Sequence, residues 1–197
     1  MRKRVLTCLL LLVLTVVIVS ADEKSFQVST TIELSLKHGF VRTENASSLQ
    51  SYSSILSSPF IGDNSENISL DISTAQPAGH YVIATNLSTP FIVALKAYPL
   101  EHTTVENVPK IPYVLSSTVV RSSHYEEMEP LIWDLGSTPS LFIGPVEKAI
   151  AASISGLTDV AWAVIDLSIT VDSTAIGSTG LLAGSYAGSI VATFTTH

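Results

Sequence analysis

Apolar and polar residues alternate along most of the chain. Between residues 26 and 37 one set of alternate positions is largely apolar and the intervening set is polar, which predicts a single long amphipathic strand. The same period of two, or a β-branched run between turn residues, predicts further strands at residues 68–72, 81–85, 91–98, 113–121, 160–171 and 186–196.

Four segments depart from this alternation. Residues 43–66 are rich in Ser and Asn and predict a loop with at most one short edge strand. Residues 76–79 predict a turn, and residues 146–153, which follow Pro145, predict one short helix. Residues 160–171 are apolar almost throughout, which is typical of a strand that is covered on both faces or lies at the centre of a sheet. Seven to nine short strands with almost no helix indicate an all-β, immunoglobulin-like β-sandwich.

The first 21 residues have the pattern of an export signal. Arg2, Lys3 and Arg4 precede an apolar run over residues 5–19, and Ala21 ends a small-residue cleavage site. Cleavage after Ala21 would also remove Cys8, the one cysteine of the chain. The alternative is an uncleaved anchor, although this run of 15 residues is shorter than the roughly 20 that a helix needs to span a bilayer.

The charge of the remaining chain excludes one class of partner. After residue 21 there are seven basic and 17 acidic residues, a formal net charge of −10. Phosphate backbones and anionic membranes require clustered Lys and Arg, so we expect no nucleic-acid binding.

The sequence offers no recognisable catalytic chemistry. A nucleophile elbow, a phosphate-binding glycine loop and a spaced set of metal ligands are all absent from it. His124 stands near Glu126, Glu127 and Glu129, but this group is better interpreted as a solvated acidic loop than as a metal site. We therefore expect no catalytic residue, no metal and no cofactor, and a chain that is not an enzyme.

Two tryptophans are candidates for a contact surface. Trp162 lies in an apolar strand and is predicted to belong to the core. Trp133, beside Asp134, is predicted equally to be partly exposed packing or contact surface.

The two ends of the chain after the signal resemble those of a known family. Residues 23–32, in which Glu23-Lys24 precedes the alternating strand, resemble the N-terminal extension of pilin subunits of the colonisation-factor-antigen type, which build alternate chaperone–usher fimbriae. Residues 183–194 are similar to the closing strand of those subunits, with the motif Gly184, Tyr186, Gly188, Ile190, Ala192 and Phe194. Where Gly184 and Gly188 flank Tyr186, a bulge or a close backbone approach is expected.

The resemblance implies assembly by strand donation. It implies a signal peptide at 1–21, a donor strand at 22–37 and a pilin-like sandwich at 38–197. The side chains that it assigns to a neighbour's groove are Phe26, Val28, Thr30, Ile32 and Leu34. The implied partners are identical or related pilin subunits, a periplasmic chaperone, an outer-membrane usher and, as a further candidate, a host receptor. The implied route leads from the periplasm to the cell surface.

Other interpretations of the same residues remain open. The alternating N-terminal strand could pair within its own sandwich, as in a self-contained secreted immunoglobulin-like binding domain that does not polymerise. A secreted enzyme is the third class, which the empty search for motifs disfavours.

Overall fold

A computed structural model describes residues 33–61, 75–87, 91–123, 130–151, 160–172 and 181–196. These residues form ten strands and two short helices. The strands are β1 (Leu36–Val41), β2 (Gln76–Thr85), β3 (Phe91–Ala97), β4 (Glu101–His102), β5 (Val114–Ser122), β6 (Leu131–Asp134), β7 (Val146–Ala151), β8 (Ala161–Thr170), β9 (Tyr186–Ala187) and β10 (Ile190–Thr196). The helices are α1 (Thr43–Ala46) and α2 (Tyr52–Ser57). All of these elements belong to one compact unit that begins at Leu34, and the predicted strand at 68–72 lies outside the described residues.

The strands form two main sheets in which every pairing is antiparallel. The five-stranded sheet has the order β1-β2-β8-β5-β6, and the three-stranded sheet has the order β10-β3-β7. A separate ladder joins β4 to β9. The predicted all-β sandwich is confirmed.

The main core fills the space between the two sheets. Along β3 every second residue, from Phe91 to Ala97, is fully buried and faces the five-stranded sheet. Trp133 of β6 is also fully buried, and its indole Nε1 donates a hydrogen bond to the carbonyl oxygen of Leu95 on β3 at 2.8 Å. This bond ties an edge strand of one sheet to the central strand of the other.

The outer face of the five-stranded sheet carries a second apolar layer. Val82 and Ala84 of β2 and Val164 of β8 are fully buried there, beneath Leu49 and Ile55 from the helical segment. Residues 163, 165, 167 and 169 of β8 belong to the main core, so this strand, which lies at the centre of its sheet, is covered on both faces around Val164. The prediction for residues 160–171 is confirmed.

The two helices correct the predicted loop at 43–66. Ser51 begins α2 with a capping box, because its hydroxyl accepts from the Ser54 amide at 3.2 Å and the Ser54 hydroxyl accepts from the Ser51 amide at 2.9 Å. The Lys37 ammonium of β1 then donates to the carbonyl oxygens of Leu56 and Ser58 at the end of the helix. Serine, which favours loops, here begins a helix that Ile55 anchors to the sheet.

Residues 146–151 correct the predicted helix. They form β7, which pairs with β3 so that Val146 lies opposite Ala97 and Glu147 opposite Lys96. An ion pair of 3.5 Å between Lys96 and Glu147 and the burial of Ile150 accompany the pairing. Tertiary pairing thus overrides a local helical tendency that is weak over so few residues.

The predicted turn at 76–79 lies inside a strand. β2 already begins at Gln76, and its register with β8 shifts between Pro77 and Gly79, which is a β-bulge. Gly79 has φ of +94°, and a Cβ on it would lie 2.8 Å from the Val41 carbonyl oxygen. A bulge that glycine accommodates therefore replaces the expected reversal of the chain.

The two tryptophans differ from the prediction. Trp133, placed equally in packing or on a contact surface, is fully buried, whereas Trp162, predicted to be core, is only partly buried. The reason is that successive side chains of a strand point to opposite faces of the sheet. Trp162 shares the outer face of β8 with Val164, and its neighbour Ala163 faces the main core.

The strands of both sheets end at the same two poles of the sandwich. At the first, called the entry end, Leu36 pairs with Thr85, and a short connection then leads to Phe91 opposite Thr196. At the second, called the cap end, Ala97 pairs with both Ile190 and Val146. Three short pairings cross the cap end, namely Glu101 with Ala187, Leu100 with Ile111, and Lys110 with Ser140.

We expect Trp133→Phe to lower the free energy of unfolding by about 2–4 kcal/mol, because it leaves a cavity and removes the indole hydrogen bond to the Leu95 carbonyl. Trp162→Phe, at a partly buried position, should cost clearly less. Urea unfolding of both variants measures the difference. Equal losses of unfolding free energy would contradict the role of Trp133 in joining the two sheets.

Candidate functional site

β1 and β10 are edge strands that lie on the same side of the sandwich. β1 ends the five-stranded sheet and β10 ends the three-stranded sheet. The His38 ring of β1 stacks on the Phe194 ring of β10, with 5.7 Å between centroids and 27° between planes. We call the space between these edges the seam; its walls are His38 and Phe40 from β1 and Ile190, Ala192 and Phe194 from β10.

The β10 wall of the seam is apolar but incompletely covered. Ile190, Ala192 and Phe194 are each only partly buried, although they pack against the main core. Their partners on β3 in the same register are fully buried. Apolar area that faces a core and still contacts solvent favours a further element that would cover it.

The β1 wall combines aromatic rings with one polar group. The Phe40 ring meets the Tyr81 ring edge to face at 5.5 Å, and His38 Nδ1 shares a hydrogen bond of 3.0 Å with the Tyr81 hydroxyl. Tyr81 is fully buried at the base of this wall. The seam therefore has a firm aromatic floor below its half-open sides.

The main-chain pairing of both edge strands also favours a further strand at the seam. Within the described ranges, β1 pairs only with β2, and β10 pairs only with β3. The second edge of each strand has no ladder partner among these residues. A free strand edge is a template for a further strand.

Of the predicted donor side chains, the structure describes only Leu34, which is 69% exposed. Phe26, Val28, Thr30 and Ile32 lie outside the described residues. Two hydrogen bonds hold Ser35 to Asn86. The backbone N–H of Ser35 donates to Asn86 Oδ1 at 2.7 Å, and the backbone N–H of Asn86 donates to the Ser35 carbonyl oxygen at 3.1 Å.

The boundary between the predicted donor strand and the sandwich shifts accordingly. Leu36 and Lys37, assigned by the prediction to the strand at 22–37, pair with Thr85 and Ala84 of the same chain. They continue into Phe40, so the alternating pattern runs past Lys37 into a strand of the sandwich itself. Only the part of the segment before Leu34 lies outside the compact unit.

The glycines of the C-terminal motif lie where the backbone is crowded. A Cβ on Gly184, which has φ of +154°, would meet the His102 ring, with 2.9 Å to Cε1. A Cβ on Gly188 would lie 2.8 Å from the Tyr98 carbonyl oxygen and 2.9 Å from that of Pro99. The expected close approach is confirmed, and it divides the predicted strand 186–196 into β9 and β10.

Tyr186, between these glycines, helps to close the cap end. Its ring meets the His102 ring edge to face at 5.0 Å, and its hydroxyl donates to the Leu182 carbonyl at 3.1 Å. His102 Nδ1 in turn accepts from the amides of Thr104 and Val105. This cluster holds the chain just before β10 and so positions the β10 wall of the seam.

The part of the chain that the structure describes holds no group of three or more His, Cys, Asp or Glu side chains that could bind a metal. His124, Glu126, Glu127 and Glu129 lie outside it. Neither described helix is long and apolar enough to cross a membrane.

One ionisable pair was not predicted from the sequence. His80 of β2 is buried on the outer face of the five-stranded sheet, with its Nε2 3.6 Å from Asp166 Oδ1 of β8. Burial lowers the pKa of His80, Asp166 opposes that shift, and the charge of Arg121 adds to it. Only the register of β2 with β8 places His80 opposite Asp166, so no local signal in the sequence could reveal the pair.

No family model matches the chain, and no curated protein matches it. The geometry of the seam is therefore the feature of the molecule that indicates a function. That geometry, two strand edges with no second ladder partner among the described residues above an apolar and aromatic floor, is suited to binding an extended peptide strand.

We expect Gly188→Ala to lower the free energy of unfolding by about 1–3 kcal/mol, because its Cβ would press on two backbone carbonyls. Gly144→Ala is the matched control, since a Cβ there meets nothing within 4 Å. Thermal unfolding compares the two, and a harmless Gly188→Ala would contradict the close approach.

We expect the protein to lose stability as the pH falls below about 6.5, the ordinary pKa of histidine. The lowered pKa means that folded His80 stays neutral while the unfolded side chain takes up a proton, so acid favours unfolding until the folded pKa is reached. His80→Gln should make this loss shallower. Urea unfolding across that range tests it, and an unchanged slope in the variant would contradict it.

Proposed function

We propose that this chain is a structural fimbrial subunit that is exported to the periplasm and polymerises at the cell surface by donating its N-terminal strand to a neighbour. In this role it binds and assembles rather than catalyses. A chaperone, an outer-membrane usher and identical or related subunits are its proposed partners, and adhesion, with a host receptor as a candidate ligand, is the proposed purpose of the fibre.

The observation that carries the proposal is the incomplete cover of β10. Its inward-facing residues are half-buried, whereas the inward-facing residues of the central strand β3 are fully buried. A strand laid along β10 would cover these residues and pair with the main chain of that edge, which has no ladder partner among the residues that the structure describes. Such strand addition combines main-chain hydrogen bonds with pockets for alternate side chains.

The sequence before Leu34 supplies a matching segment. Phe26, Val28, Thr30, Ile32 and Leu34 are alternate residues, which in an extended strand stand about 6.6 Å apart on one face. The polar residues between them, such as Ser29 and Thr31, would face outward. The compact unit begins only at Leu34, so this segment does not overlap β1.

A second candidate function is a self-contained immunoglobulin-like binding domain that does not polymerise. The contact that favours it is the stacking of His38 on Phe194 across the seam, which joins the two edges within one chain. A seam that these rings hold shut would need no donated strand.

The experiment is size analysis of the full chain, exported together with the products of its neighbouring genes and kept in mild detergent. Wild type should give a ladder of multiples. Val28→Asp should abolish the ladder, because it would bury an unpaired charge that costs several kcal/mol at each junction. Ser29→Asp, one residue away on the opposite face, should leave the ladder intact.

Two results would contradict the proposal. A single monomer peak from wild type would favour the self-contained domain. A ladder that survives Val28→Asp would show that the subunits associate without the proposed donor face.

A further inference from the structure

The cap end carries an exposed apolar tip on a fixed loop. Phe142 is 92% exposed and Leu141 is 46% exposed, in the loop between β6 and β7. The loop is held beside the tip, because Ser140 and Lys110 exchange two backbone hydrogen bonds of 3.0 and 3.2 Å. Lys110 is itself fixed by an ion pair of 2.6 Å with Glu101. A large aromatic side chain is thus presented to solvent on a rigid support.

The tip is also uncharged in an acidic protein. Residues 135–145 contain no Asp, Glu, Lys or Arg, although the chain after residue 21 has 17 acidic and seven basic residues. Two copies of so acidic a chain repel each other over most of their surfaces. An uncharged apolar tip is a place where a second copy can approach without that repulsion.

The opposite pole carries exposed apolar side chains as well. Leu34 is 69% exposed and Leu36 is 38% exposed, at the point where the chain enters β1. In the proposed fibre, the strand before Leu34 lies in a neighbour's seam, so this entry end must stand against one pole of that neighbour. At the neighbour's own entry end, the segment that the neighbour donates already leaves its sandwich. The cap end is the pole that remains.

We propose that the Leu141–Phe142 tip of one subunit packs against the entry end of the next subunit, beside Leu34 and Leu36. This inference depends on the proposed function, because it takes strand donation as its starting point. It adds a second contact at each junction, one that fixes the angle between successive sandwiches and does not involve the seam.

Cysteine cross-linking tests the contact directly, since Cys8 is the only cysteine of the chain and lies within the signal segment. The double variant Phe142→Cys with Leu34→Cys is assembled into fibres and treated with a thiol cross-linker that spans about 10 Å. This length matches the two strand spacings between β10, along which the donated strand would lie, and β7, which follows the loop of Phe142. We expect covalent multimers. The matched control pairs Leu34→Cys with Val120→Cys, which is 47% exposed on β5 away from both poles, and should give at least tenfold fewer.

A second variant measures what the contact contributes. Phe142→Asp should release subunits from fibres in mild detergent at least about tenfold more readily than wild type, as for an aromatic anchor in an interface. Val120→Asp should have no such effect. Because Phe142 is almost fully exposed, its replacement should leave the melting temperature of the monomer unchanged.

The outcomes separate the two proposals. If wild type forms no ladder, strand donation fails and this inference fails with it. If wild type forms a ladder but the Phe142–Leu34 pair cross-links no better than the control, strand donation stands and the inference alone is overturned. Loss of binding to a host surface in Phe142→Asp, with fibres unchanged, would also overturn it, because the tip would then be a receptor contact.

Discussion

The enclosure of β8 at the centre of the five-stranded sheet is the constraint on which the rest of the structure depends. One face of this strand packs on the three-stranded sheet through residues such as Ile165 and Leu167, and the other packs beneath the helical segment through Val164. Its two edges are paired with β2 and β5. A shift of its register by one residue would turn polar residues of its outer face, such as Asp166 and Ser168, into the main core. β8 therefore fixes β2, which in turn fixes β1 and one wall of the seam.

The sequence predicted the features that follow from local periodicity. The period of two along most strands and the largely apolar run of β8 identify the sandwich and its central strand. Features decided by distant contacts were predicted wrongly: β7 is a strand because β3 offers it an edge, and α2 forms because Ile55 finds an apolar face on the five-stranded sheet. Trp162 shows the same limit, since apolar neighbours do not reveal which face of a doubly covered strand a side chain occupies.

In the candidate site, too, the features set by local sequence were predictable and those set by distant contacts were not. The glycines of the C-terminal motif can be found in the sequence, because a residue without Cβ is needed wherever backbones approach closely. The β1 wall was missed, because the alternation before Leu34 and that of β1 join without a break. His38 and Phe40 become part of a site only when β1 and β10 come to the same side of the sandwich, which no local pattern specifies.

The pairing of β1 with β2 has a mechanical consequence. The two strands are antiparallel over six residue pairs, and the chain enters β1 at Leu36, opposite Thr85. The hydrogen bonds of an antiparallel ladder lie perpendicular to the strands, so a pull on the preceding segment along the strand axis loads them together in shear rather than one after another. The Lys37 ammonium, bonded to the end of α2, adds a lateral tether near the loaded end. Under such a pull, β1 would therefore resist as a whole rather than peel away residue by residue.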